Sequence, residues 1–174
     1  MKIRQLLPLI TVLSLALLIV SGSSDKLGVG PFAIGFTINA SIQPAINASG
    51  PIKESGFDEY RFGIRSIALR PKMINVSIYD YQNSTDVSET RLMNLITDTI
   101  KSNSYKLTWN KVSIGNIPGI MSQVQDSDSL ASYSIAAYSP DGDGKKGNTI
   151  VLIESYLSKE ATDSFMKNLN VERR

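Results

Sequence analysis

The chain has 174 residues, with 18 Lys and Arg against 16 Asp and Glu, and it holds neither histidine nor cysteine. Histidine-based triads, thiol nucleophiles, disulfides and histidine- or thiolate-ligated metals are therefore excluded, which leaves carboxylates, lysines, tyrosines and hydroxyls. Lys2 and Arg4 account for the whole positive excess, so the remainder is balanced and lacks the clustered basic residues that nucleic acid or an anionic membrane surface requires.

Residues 1–23 carry the clearest address. Lys2 and Arg4 are followed by a nearly unbroken apolar run from Leu6 to Val20 and then by Ser21-Gly22-Ser23-Ser24-Asp25, the pattern of a secretory signal. As a helix the run would reach about 22 Å, short of the roughly 30 Å of bilayer hydrocarbon, which favours cleavage; a retained N-terminal membrane anchor is the alternative. Val20-Ser21-Gly22-Ser23 also resembles a lipobox, with serine where the lipidated cysteine would stand, and without a cysteine there is no thioether. The mature protein is thus expected to be extracytoplasmic, secreted or tethered to the outer face of the cell membrane, and to meet membrane only through its first residues.

Residues 24–56 are rich in Gly, Pro, Ser and Asn and read as a tether. Within them Phe32, Ile34, Phe36 and Ile38 alternate cleanly, so a short strand is expected there, and such a strand needs a partner at the edge of the following domain. A domain of residues 57–174 follows. Arg61 to Leu69 and Met73 to Tyr81 predict two strands around Arg70-Pro71-Lys72, and in the second Ile74, Val76 and Ile78 face one way while Asn75, Ser77 and Tyr79 form a wet face.

From Asp86 to Ser102 the period changes to that of a helix, with Leu92, Leu95, Ile96, Thr99 and Ile100 on its stripe and Ser88 as its cap. Short strands are predicted at Tyr105 to Trp109 and Lys111 to Ile114, before a turn at Gly115-Asn116-Ile117-Pro118-Gly119. Ile120 to Gln125, Ala131 to Tyr138 and Thr149 to Ser155 predict consecutive antiparallel strands. Ser158 opens a closing helix lined by Ala161, Phe165 and Leu169, with Thr162 and Met166 beside them. The expected class is α+β, an antiparallel sheet packed with two helices.

The succession of the Gly115 to Gly119 turn, a strand carrying Ala136-Ala137-Tyr138, a hairpin, Ile150 to Ser155 and a final helix is similar to the α/β/α sandwich of the PsbP proteins of photosystem II and a Ran-binding nuclear import factor. The resemblance covers about residues 60 to 171, and the chain also resembles small exported proteins of methanogenic archaea. It implies docking on a larger assembly rather than catalysis, and no functional residue of those relatives maps onto a matching motif here.

Four constellations bear on function. Asp141-Gly142-Asp143-Gly144 offers clustered hard oxygen to a calcium ion, with Asp126 and Asp128 as further donors, although Lys145, Lys146 and Leu152 break an EF-hand and Asp-Gly alone marks a hairpin. Asp58 with Glu59, or Glu154, would serve a carboxylate-based hydrolase of envelope polymers if two acids met across a cleft. Tyr79, Tyr81 and Trp109 would form a partner-binding aromatic face if solvent-facing together. Sequons at Asn39, Asn47, Asn75 and Asn83 are candidate glycosylation sites. The expectation is a non-enzymatic exported module without a cofactor, binding a cell-envelope protein or glycan, with the hydrolase and a cation-stabilised envelope protein as alternatives.

Overall fold

The computed structural model describes residues 26–38, 44–66, 72–100, 105–126 and 132–174. The N-terminal apolar segment, Asn39 and Asp128 lie outside them, and of Asp126 only the backbone is described. In chain order the elements are β1 (Leu27–Val29), β2 (Phe32–Gly35), β3 (Pro44–Glu54), β4 (Phe57–Ser66), β5 (Lys72–Asp86), α1 (Glu89–Thr99), β6 (Tyr105–Ile114), β7 (Ile117–Asp126), β8 (Ser132–Tyr138), β9 (Lys146–Ser155), α2 (Lys159–Asn168) and β10 (Asn170–Arg173).

The strands form two antiparallel sheets, a small one in the order β1-β2-β10 and a large one in the order β3-β4-β5-β9-β8-β7-β6. This corrects the expected α+β class. The molecule is a β sandwich carrying two helices, because residues 27–54, whose glycines and prolines read as a tether, contribute three strands and the last residues contribute a fourth. The alternation at Phe32 and Ile34 does find partners, but in a sheet of its own: Ile34 lies opposite Leu27 on one side and Val171 on the other.

Alternating side chains give the large sheet two different faces. On one, Phe62 and Ile64 of β4, Ile74, Val76 and Ile78 of β5, and Val151 and Ile153 of β9 pack with Phe32 and Ile34 of the small sheet, with Phe165 and Met166 of α2 and with Leu169 at its C-terminal cap. On the other, Ile120, Val124, Ile135, Ala137, Ile150 and Leu152 pack beneath Leu92 and Ile96 of α1 and Ile100 at its C-terminal cap. Burying each of these aliphatic side chains contributes about 1.5–3 kcal/mol, which is why the two layers hold the sheet so firmly.

Both helices start where hydroxyl caps stand. Ser88 Oγ accepts from Arg91 N at 3.4 Å, and Asp86 Oδ1 accepts from Ser88 N at 2.8 Å. Ser158 Oγ accepts from Ala161 N at 3.3 Å, and a buried hydroxyl pair between Ser155 and Thr162, 2.7 Å apart, ties β9 to α2. Gly30 turns β1 into β2 at φ +56°, with the Tyr60 ring where a Cβ would stand, so glycine is required there by both backbone and packing. The edges β3 and β6 carry Lys53, Lys106 and Lys111, charges that discourage pairing with another chain.

Phe32 is 1% exposed and stands edge-on to Tyr60, with ring centroids 5.7 Å apart. Phe32→Ala is expected to cost about 3–5 kcal/mol in denaturant unfolding, as a core aromatic does. A loss below about 1 kcal/mol, the level of a surface change, would return residues 27–35 to the status of a tether.

Candidate functional site

α1 packs against β7 and β8, leaving the same face of β3, β4 and β5 without a covering layer. There the outward-pointing positions are polar. Register places Ser49, Arg61 and Ser77 in one row across the three strands, and Asn47, Gly63 and Asn75 in the next, where Glu154 of β9 follows Asn75. These residues line a groove of about 430 Å³, walled on one side by Thr99 at the end of α1.

Glu59 and Arg61 lie two residues apart on β4 and therefore on one face. Arg61 donates from Nε to Glu59 Oε1 at 2.7 Å and from Nη2 to Oε2 at 2.6 Å, a fork-on-fork pair. The Glu59 side chain is only 6% exposed, whereas that of Arg61 is 55% exposed, so the acid forms the floor and the guanidinium the wall. Donating to Glu59 raises the Arg61 pKa further and keeps it charged. Farther along, Glu154 Oε2 accepts from Asn75 Nδ2 at 3.4 Å and from the Tyr156 hydroxyl at 3.2 Å. Both bonds use Oε2, leaving Oε1 without a partner among the described residues. Tyr156 is 46% exposed and stacks on Tyr133 at 5.2 Å.

The carboxylates singled out in the sequence are distributed over this architecture unequally. Asp58 and Glu59, as strand neighbours, point to opposite faces and do not meet. Asp58 instead lines a small pocket with Asp80 and Asp141, where Arg173 pairs with Asp80. Glu59 and Glu154 do share the groove, with two strand spacings and four residues of register putting their α-carbons about 16 Å apart, and each carboxylate is tied to its own partners, Arg61 for Glu59 and Asn75 with Tyr156 for Glu154.

Tyr79 and Tyr81 pack around Phe57, at 5.6 and 5.3 Å between ring centroids. Trp109 belongs to β6, four strands from β5 and so about 19 Å away or more, half-buried beside the α1 layer. The three therefore do not form one face. Among the described residues the exposed large aromatic is Tyr156, one of the tyrosines that the sequence offers for such a face together with Trp109, and it directly follows β9.

At the β8–β9 hairpin the aspartates serve the loop. Asp141 Oδ1 accepts from Ser139 Oγ at 3.1 Å and Thr149 N at 3.0 Å, and Oδ2 accepts from Asn148 N and Thr149 Oγ1, each at 3.2 Å. Asp143 Oδ1 takes Lys145 N at 2.8 Å and Lys146 N at 2.7 Å, and these backbone donors hold its carboxyl below the usual aspartate range. No group of three or more acidic side chains placed to hold a metal occurs among the described residues. Of the sequons, Asn47 is exposed at the groove's outer strand, Asn83 is exposed where β5 departs from register with β9, and Asn75 is half-buried against Glu154.

Comparison with known proteins adds no relative: no family model, no curated protein and no solved structure matches the chain, and nothing identifies the PsbP-like family.

Two measurements probe the groove's construction. Arg61→Met strands a buried carboxylate and is expected to cost about 3 kcal/mol in urea unfolding, and adding Glu59→Gln should restore most of it. Equal stability of the single and double variants would dissolve the pair's structural role. Separately, burial, with help from the Glu59 charge, pushes the Tyr79 phenol up to about 12. Because the unfolded phenol ionises near 10, the contribution of neutral Tyr79 is complete below about pH 10 and disappears as pH rises towards 12. Alkaline unfolding followed by circular dichroism should therefore fall in that window and move upward in Tyr79→Phe; an unmoved midpoint would contradict it.

Proposed function

We propose that the protein is a non-enzymatic binding module working outside the cytoplasm, delivered by its N-terminal apolar segment, and that the polar groove over β3, β4 and β5 holds a component of the cell envelope. The observation that carries this reading is the groove itself. Seven strands supply a rigid floor, one helix covers only part of it, and the uncovered part is furnished with donors and acceptors where a buried face would carry aliphatic side chains. Its buried carboxylate, Glu59, is committed to Arg61 and its other, Glu154, to Asn75 and Tyr156, an arrangement suited to positioning a ligand.

Gly63 gives a means of closing the groove without disturbing the sheet. A Cβ there meets Asn75 Oδ1 at 3.5 Å and Ile74 O at 3.8 Å, ordinary contacts. The full-length chain should sediment with envelope that has been extracted with detergent, where the apolar segment has no lipid to enter. Gly63→Trp should keep the melting temperature within about 4 °C, the shift expected of a 1 kcal/mol change, and lose at least tenfold in envelope affinity. Equal retention of both proteins, or of neither, would overturn the proposal.

A further inference from the structure

The charged residues lining the groove are Glu59, Arg61, Arg65 and Glu154, two of each sign. Arg61 and Glu59 already neutralise one another, so a polyanionic ligand would still meet Glu154 and a cationic one Arg65, and neither finds a complementary field. A lipid or apolar peptide would bury Asn47, Ser49, Asn75 and Ser77 without satisfying them, at a cost of roughly 1–3 kcal/mol for each polar group left unpaired. What the site offers is a set of planar amide, carboxylate and guanidinium groups able to engage paired neutral donor–acceptor groups.

Beside this set stands a flat apolar surface held in place. Tyr156 is one of the two large hydrophobic side chains left exposed among the described residues. Its ring is stacked on Tyr133 with 24° between the planes, and its hydroxyl is fixed to Glu154, the same carboxylate that binds Asn75 in the groove wall. An exposed aromatic pinned from behind and at its tip loses little entropy when something lies on it. Burial and the Glu154 charge push its phenol up to about 12, so it stays neutral throughout the physiological range.

Hydroxyl-rich on its edges, weakly apolar on its ring faces and without charge, a pyranose chain matches both parts. We infer that the groove binds a neutral glycan strand, with Tyr156 as the stacking platform and Arg61, Asn75 and Glu154 as the hydrogen-bonding wall. This rests on the groove being the binding site, as proposed above.

The test uses the full-length protein and detergent-extracted envelope. Periodate, which cleaves vicinal diols, should abolish retention, protease treatment of the envelope should not, and 0.5 M salt should leave it unchanged within about twofold, since a neutral ligand releases no counterions. Tyr156→Ala and Glu154→Gln should each weaken retention about tenfold while Gly63→Trp abolishes it, with the melting temperatures of all three close to that of the parent. Retention that survives periodate but is lost on protease treatment and in Gly63→Trp would sink the glycan while leaving the groove as the site of a protein partner. Retention lost in high salt would likewise replace the neutral glycan with a charged ligand. Retention indifferent to Gly63→Trp would sink both readings together.

Discussion

Unequal cover of the large sheet is the constraint from which the remaining features follow. On one face the sheet is sealed by two different objects, α2 towards β6 and the small sheet towards β3 and β4, and the buried side chains there are aliphatic or aromatic almost without exception. On the other face a single helix of eleven residues, about 16 Å long at 1.5 Å per residue, cannot span seven strands that spread over roughly 29 Å. Part of that face must remain wet. Strand chemistry follows this division, since β5 presents Ile74, Val76 and Ile78 to the sealed side and Asn75, Ser77 and Tyr79 to the open one.

A wet sheet face need not be a site, and charge arrangement is what distinguishes this one. Glu59 is buried although it lies on the open side, a position a carboxylate occupies only with a strong partner, and Arg61 supplies two parallel bonds. An acid placed there only for solubility would stand out in water. Instead the pair holds a guanidinium at a set height above the strands, and Asn75 and Tyr156 hold Glu154 in the same manner. The groove is thereby stiff in its polar groups as well as in its backbone, which lowers the ordering cost of binding.

Much of this was legible in the sequence where local rules act alone. The caps at Ser88 and Ser158, the helical stripes and the two-sided pattern of β5 are all written within a few residues of where they operate. Residues 27–54 were misleading for a physical reason: Gly28, Gly30, Gly50 and Pro51 lower strand propensity, and what holds these segments extended is pairing with β10 and β4, which are distant in sequence. A four-residue strand such as β10 has no periodicity to read. The groove shows the same limit, because Glu59 and Glu154 come to line one groove only through the strand order, whereas Asp58, beside Glu59 in the chain, belongs to the opposite face.

The small sheet also changes what the proposed export segment would do. With residues 24–56 as a tether, an anchored protein would hold its domain far from the membrane. Since β1 begins at Leu27 and Lys26 pairs with Glu172, the chain enters the folded body only a few residues after the expected end of that segment, a span of at most about 14 Å. Cleavage would then leave the first strand almost at the new terminus, and retention would set the small sheet close against the bilayer. The groove lies on the opposite face of the large sheet from the small one. If the proposed anchor were retained with the small sheet against the bilayer, the groove would therefore face away from the lipid.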